Sequence, residues 1–121
     1  PEMSRGLGDV YKRQFLTTAG MLYEQNVDTA SIDADRHWWV QAETIVGYIN
    51  LYQHFDDKLS LSRALQCWEF VKRNLIDREN GEWYWSLRAD GSVNRNEDKA
   101  GFWKCPYHNG RMCMEIMERF V

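Results

Sequence analysis

The sequence lacks the features that mark several common classes of protein. No apolar stretch approaches the roughly 20 residues that span a bilayer, so no membrane segment is predicted. Its 15 basic residues stand against 18 acidic ones and form no basic stripe, which argues against nucleic acid as a partner. Cys67, Cys105 and Cys113 are odd in number and lack metal-ligand spacing such as C-x-x-C. A reducing, cytoplasmic setting without a bound metal is therefore expected.

The first fourteen residues also lack an apolar period and the apolar run of a signal peptide. The stretch from Ser4 to Gln14 resembles the in-frame translation of a transposase sequencing adapter. We therefore expect residues 1–14 to be a disordered artefact and the natural sequence to begin at Phe15, within a gene. A natural disordered tail is the alternative. Residues 15–121 are long enough for one small domain.

Two segments of the chain repeat each other. Residues 20–24 are echoed by residues 81–85, about 60 residues later. A polar turn region, an acid-plus-base pair and tryptophan follow each copy, at 35–39 and at 98–103. A helix-like pattern comes after both. This period predicts stacked helix-pair units joined by short hairpins.

Apolar periodicity predicts three helices, at about 38–54, 59–75 and 110–120. Alternating sidedness over 82–87, followed by turn residues at 89–92, predicts a hairpin. So many apolar faces cannot all cover one another, and we expect an incomplete solenoid or barrel whose other repeats lie upstream. The predicted buried positions are Val40, Ile45, Val46, Ile49 and Tyr52 in the first helix, Leu61, Ala64, Leu65, Trp68 and Val71 in the second, and Met112, Cys113, Ile116, Met117 and Phe120 in the third.

Reactive side chains are concentrated between residues 102 and 111. This segment holds a tryptophan, a thiol, a phenol, an imidazole, an amide and a guanidinium. Pro106 prevents a helix from running through the segment, and Asn109 can cap the helix that follows. His108 is therefore expected at a fixed junction between loop and helix, where catalytic side chains are often presented.

Three segments closely resemble the C-terminal part of cellobiose 2-epimerases, within the N-acylglucosamine 2-epimerase superfamily. They are HWWVQAE at 37–43, NGEWYWS at 80–86 and DKAGFWKCPYHNGR at 98–111, and the resemblance extends over essentially residues 15–121. It implies an all-α (α/α)6 barrel with short β-hairpins between helices, of which this chain would be only the C-terminal portion. It also implies an isomerase that inverts C2 of the reducing-end glucose of cellobiose or related β-1,4 disaccharides, with no metal and no nucleotide cofactor.

The chemistry of that reaction explains why histidines are needed. The C2 proton is acidic only when C1 is an open-chain aldehyde, and its removal gives an enediolate. One group takes the proton from one face and a second group returns a proton to the other; imidazole suits both roles because its unperturbed pKa is about 6.5. By resemblance, His108 is one of these two catalytic histidines and its partner lies upstream. His37 and His54 are not assigned to the reaction.

A sugar site also needs flat aromatic rings edged with hydrogen-bonding groups. Trp39 and Glu43 stand four residues apart, and hence on one helical face. The resemblance maps both, together with Trp103, to positions that contact the substrate. Trp38 is left open between substrate contact and core packing. We expect Trp68 in the core, Trp83 and Trp85 packing on one face of a strand, Cys105 as a small buried wall residue, and Glu97, Asp98 and Lys99 in a solvated turn; the sequence does not decide the role of Arg111.

Other functions remain open from the sequence. A glycoside hydrolase would need two carboxylates at the scissile bond, and Glu43 is the only well-placed acid. A non-catalytic sugar-binding module would use the tryptophans but would not require His108. Mannobiose and N-acylglucosamine 2-epimerases are the closest alternatives. The 121-residue chain alone is expected to be inactive and marginally folded, and the parent protein is expected to be monomeric.

Overall fold

Three helices carry most of the described chain. The computed structural model describes residues 20–121, so the expectation for residues 1–14 lies outside the described residues. The elements, in order, are β1 (Glu24–Gln25), β2 (Ile32–Asp33), β3 (Arg36–His37), α1 (Trp38–Phe55), α2 (Lys58–Asn74), β4 (Ser86–Leu87) and α3 (Tyr107–Phe120). β1 pairs with β2 and β3 pairs with β4, both antiparallel. The three predicted helices are thus confirmed to within a few residues at their ends.

α1 and α2 form the body of the core. Only Asp56 and Asp57 separate them: Asp56 adopts a left-handed conformation (φ 51°) that ends α1, and the Asp57 carboxylate accepts hydrogen bonds from the N–H groups of Leu59 and Ser60 at the start of α2. This tight connection folds the two helices back on each other. Their buried apolar side chains face one another: Ala42, Ile45, Val46 and Ile49 from α1, and Ala64, Cys67, Phe70 and Val71 from α2. Burial of this kind contributes about 1.5–3 kcal/mol for each large aliphatic side chain.

The predicted buried positions are partly wrong on α2 and α3. Leu65, Cys113, Met117 and Phe120 are exposed, whereas Arg63 is buried. The reason is that α3 packs on α1 through Met112 and Ile116, and its opposite side has no covering element among residues 20–121. Helical periodicity identifies apolar stripes, but it does not tell which stripe a neighbouring element covers.

The chain before α1 is held against the core by two features. Gly20 has φ +91°, and a Cβ added there would lie 2.7 Å from Cδ1 of Phe70, so both the conformation and the space require glycine. Gln41 is fully buried; it accepts from the Met21 N–H (2.7 Å) and donates to the Met21 carbonyl (2.8 Å). The loop that carries Tyr23 is thereby fixed beside the start of α1.

The two copies of the predicted repeat begin with the same backbone conformation, but their tryptophans lie in different elements. Gly20 and Gly81 both have positive φ (91° and 76°) and both precede short hairpin segments. The predicted turn at 89–92 is confirmed by hydrogen bonds between Arg88 and Ser92 and from Gly91 to Arg88. However, Trp39 lies within α1, whereas Trp103 lies in the loop before α3. The second copy therefore departs from the first just before its helix.

Candidate active site

The contact between α1 and α3 brings an imidazole and a carboxylate together. His108 lies in the first turn of α3, and its Nδ1 is 2.9 Å from Oε1 of Glu43 on α1. Both side chains are about one-third exposed, so the pair is supported by protein on one side and open on the other. A carboxylate beside Nδ1 favours the tautomer in which Nδ1 carries the proton, which leaves Nε2 to accept or donate one.

The second oxygen of Glu43 binds a guanidinium. Nη2 of Arg111 lies 2.5 Å from Oε2 of Glu43, and Nη1 of Arg111 lies 2.6 Å from Oε1 of Glu115. Partial burial acts to raise the pKa of Glu43, but hydrogen bonds from Arg111 and His108 outweigh it, and the pKa lies below its ordinary value. Glu43 is thus a fixed, ionised acceptor for the His108 ring.

Aromatic rings border the His108–Glu43 pair. The ring centroids of Trp39 and Tyr107 lie 5.8 Å and 5.0 Å from that of His108. Tyr23 stands edge-on to Trp39 (6.3 Å) and stacks on His37 at 4.1 Å. The site therefore combines an acid–base group with flat apolar surfaces, the combination that a sugar ring requires.

A buried polar cluster behind His108 fixes the start of α3. Lys104 is 1% exposed; its Nζ donates to Oε1 of Glu82 (3.2 Å) and to the Lys99 carbonyl (2.7 Å), and it lies over the Trp38 ring. Nδ2 of Asn109 donates to the same Glu82 oxygen at 2.8 Å. The residue next to His108 is therefore tied to the hairpin at 81–94, which sets where His108 projects.

Comparison with known proteins identifies the family of the chain. Residues 12–110 match the N-acylglucosamine 2-epimerase (GlcNAc 2-epimerase) family. The chain belongs to the N-acylglucosamine 2-epimerase family. It is 64% identical over 98 residues to the cellobiose 2-epimerase of Bacteroides fragilis, a match that covers 81% of this chain and 25% of that protein. With the cellobiose 2-epimerase of Ruminococcus albus it shares 50% identity over 95 residues, covering 78% of this chain and 24% of that protein.

Solved structures agree with the family assignment. The cellobiose 2-epimerase structure from Spirochaeta thermophila superimposes with a TM-score of 0.82 at 42% identity, covering 88% of this chain and 27% of that one. The helix-rich fold expected from the sequence is thus shared with this epimerase structure. The chain spans about a quarter of the length of the curated relatives it matches.

The structure brings together three of the family-site residues predicted from the sequence. His108, Glu43 and Trp39 are neighbours. The Glu43 carboxylate bonds His108, a contact that its predicted substrate-binding role does not include. Trp38 is buried beneath the site, 4.6 Å from Trp85, and its Nε1 has no hydrogen-bond partner among residues 20–121. Trp103 is not brought to the pair within the described chain; it is 81% exposed and its ring contacts Phe102. The substrate contacts of these tryptophans stay predictions.

Several smaller expectations of the sequence need correction. Cys105 is exposed and not a buried wall residue, because Lys104 beside it points inward in its place. Asn109 does not cap α3, since Pro106 stands at the N-cap. Asn109 lies within the first turn of the helix, and its side chain bonds Glu82. Lys99 is more than part of a solvated turn; its Nζ pairs with Asp77 at 2.6 Å.

The remaining tryptophans pack, but Trp83 and Trp85 do not share one face of a strand as expected, because β4 begins only at Ser86 and the two indoles contact different partners. Trp83 is buried and lies 6.2 Å from Trp68, which packs at the edge of the core, while Trp85 packs on Trp38. Sequence analysis missed the positioning roles of Glu82, Lys104 and Asn109. One signal was present: a lysine flanked by Trp103 and Cys105 in an aromatic segment is a candidate for burial with a paired acid.

Proposed function

We propose that this chain supplies part of the active site of a sugar 2-epimerase, an isomerase that inverts C2 of the reducing-end glucose of cellobiose or a related β-1,4 disaccharide. The observation that carries the proposal is the His108–Glu43 pair beside Trp39, in a chain of the N-acylglucosamine 2-epimerase family. The whole protein would form the (α/α)6 barrel that the family resemblance implies, with residues 15–121 as its C-terminal part. A monomeric, cytoplasmic protein stays the expectation from sequence.

In the proposed reaction, His108 moves one proton at C2. With Nδ1 held by Glu43, Nε2 removes the C2 proton of the open-chain sugar or returns one to the enediolate. Inversion needs a second group on the opposite face of C2, and the family resemblance implies a second histidine upstream of the matched segments. We do not assign His37 to that role, because its ring stacks on Tyr23 and stands edge-on to Trp85.

The partly buried ring of Trp39 supports the choice of a sugar as substrate. It lies 5.8 Å from the His108 ring, so a pyranose stacked on the indole would place its polar rim near the imidazole. The Glu43 carboxylate has lone pairs beyond its two recorded partners and can also accept from a sugar hydroxyl. Neither contact requires a metal or a nucleotide.

Hydrolysis of a glycosidic bond fits the site less well. A hydrolase needs a carboxylic acid that is protonated at working pH and a second carboxylate nearby. Hydrogen bonds from Arg111 and His108 hold the pKa of Glu43 below its ordinary value against the effect of burial, so this residue is a poor proton donor. Glu82 is bound by Lys104 and Asn109 behind His108.

A chimeric enzyme tests the proposal. Residues 20–121 replace the matching C-terminal quarter of the Bacteroides fragilis cellobiose 2-epimerase, and the chimera is incubated with cellobiose in D2O. We expect a mannose-ended disaccharide that carries deuterium at C2. His108→Asn should abolish both inversion and exchange, whereas His54→Asn, at the exposed end of α1, should retain them.

The other outcomes identify the alternatives. Release of glucose would indicate a hydrolase, and binding without conversion would indicate a sugar-binding module. Parallel incubations with mannobiose and with N-acylglucosamine separate the disaccharide branch from the other epimerases of the family. Full activity in the His108→Asn chimera would overturn the site assignment. The purified 121-residue chain alone is expected to show no epimerisation.

A further inference from the structure

We propose that Arg111 is a positioning residue for the reaction, which acts on His108 through Glu43. The inference rests on the proposed function of the His108–Glu43 pair. Arg111 itself is one turn along α3 from His108, and the contacts recorded for its guanidinium are to carboxylates and not to the imidazole. Its effect on catalysis would therefore be indirect.

The planar guanidinium of Arg111 acts as a fork, because its two terminal nitrogens bind two different carboxylates. Nη2 binds Oε2 of Glu43 and Nη1 binds Oε1 of Glu115 one turn further along α3. Glu115 is held in turn by Arg119, whose Nη1 donates to Oδ1 of Asn50 on α1. Because the fork is braced at both ends, Glu43 cannot rotate its Oε1 away from Nδ1 of His108 without breaking the Arg111 contact.

The charge of Arg111 is as important as its shape. The Glu43 carboxylate places a negative charge 2.9 Å from Nδ1 of the imidazole. Arg111 opposes that negative charge without titrating itself. The charged and titratable groups recorded around the His108 ring are Glu43 on α1 and, on α3, Tyr107 and Arg111; behind them, the Lys104–Glu82 pair bonds Asn109 rather than His108.

Partial burial of Arg111 carries a desolvation cost that a solvent-exposed ion pair avoids. Its Nε is buried and has no hydrogen-bond partner within residues 20–121. Arg119 makes comparable contacts with Glu115 but does not touch Glu43, and its atoms are not among the buried unpaired ones. The two arginines therefore provide a matched pair, one acting on the candidate site and one bracing the same helix.

Nuclear magnetic resonance on the chimera tests the link directly. Long-range proton–nitrogen spectra distinguish the two imidazole tautomers, and a His108→Gln variant assigns the signal. We expect the tautomer with the proton on Nδ1. Arg111→Met should lower the fraction of that tautomer, because Glu43 is then free to rotate away from Nδ1. Arg119→Met leaves the Arg111–Glu43 contact in place and should change that fraction less. Equal tautomer fractions in the parent chimera and in Arg111→Met would overturn the proposal.

Kinetics of the chimera provide the second measurement. Arg111→Met should lower kcat about ten- to a hundredfold with KM within about twofold. Arg111→Lys keeps the charge but not the two-pronged geometry of the guanidinium, so it should restore only part of the rate. Arg119→Met removes only the outer support of Glu115 and should cost less than Arg111→Met. Equal losses in both Met variants, or an effect on KM alone, would overturn the positioning role. An inactive chimera with Arg111 intact would instead count against the proposed function.

Discussion

The cluster of Glu82, Lys104 and Asn109 gives the sharpest prediction about stability. Oε1 of Glu82 accepts from the Trp83 N–H (2.9 Å), from Nζ of Lys104 (3.2 Å) and from Nδ2 of Asn109 (2.8 Å). Burial lowers the pKa of Lys104, and the attraction of Glu82 offsets part of that effect. Glu82→Ala removes three contacts at once and leaves a buried ammonium with only the Lys99 carbonyl and the Trp38 ring.

The magnitude follows from the burial of the two partners. Removing one partner of a fully buried ion pair costs about 3–5 kcal/mol. Glu82 is 27% exposed and Lys104 only 1%, so water partly screens the pair, and we expect a loss of about 2–3 kcal/mol in the free energy of unfolding. Alanine is the suitable replacement because Glu82 has φ +63°, and glycine would relieve that conformation and confuse the result.

Urea unfolding of the chimera that carries residues 20–121 measures this loss, and two further variants give its interpretation. Glu79→Ala, in an exposed position of the same loop, should stay within about 0.5 kcal/mol of the parent chain. Adding Lys104→Met to Glu82→Ala removes the orphan charge and should restore part of the lost stability. A loss below about 1 kcal/mol for Glu82→Ala, or a double variant less stable than either single one, would refute the role of the buried pair.

Three other predictions concern separate parts of the chain. A hydrogen bond from Lys99 holds the pKa of Asp77 well below its usual range, so its stabilising effect is present above the unfolded pKa of about 3.9 and lost as pH falls below it; in acid titration, Asp77→Asn should flatten this loss. Burial raises the pKa of the Cys67 thiol to about 12, so iodoacetamide should label exposed Cys105 in the native chain and Cys67 only after unfolding, as mass spectrometry can show. Gly20→Ala should destabilise the chain by about 1–3 kcal/mol in urea unfolding, whereas Gly47→Ala, in a helix with free space, should be neutral or stabilising by up to about 1 kcal/mol.

Local sequence signals predict the helices of this protein well and their partners poorly. The extents of α1 and α2 follow from apolar periodicity to within a residue or so. The exposure of Met117 and the burial of Arg63 do not, because each depends on which element lies across from the helix. Pro106 shows the same limit: it keeps the residues before it out of the helix, as expected, but the helix begins directly after it and not at Gly110.

The candidate site was likewise predictable from the sequence only in part. Spacing places Trp39 and Glu43 on one helical face, and motif resemblance identifies His108, but neither shows that Glu43 and His108 touch. That contact depends on the register of α3 against α1, which Lys104 and Glu82 set from behind through Asn109. A carboxylate in a sugar site therefore has two explanations that sequence spacing cannot separate, a sugar acceptor or an orienting partner for the base. The second oxygen of Glu43, bound to Arg111, favours the orienting role, because a group that only accepted sugar hydroxyls would need no such brace.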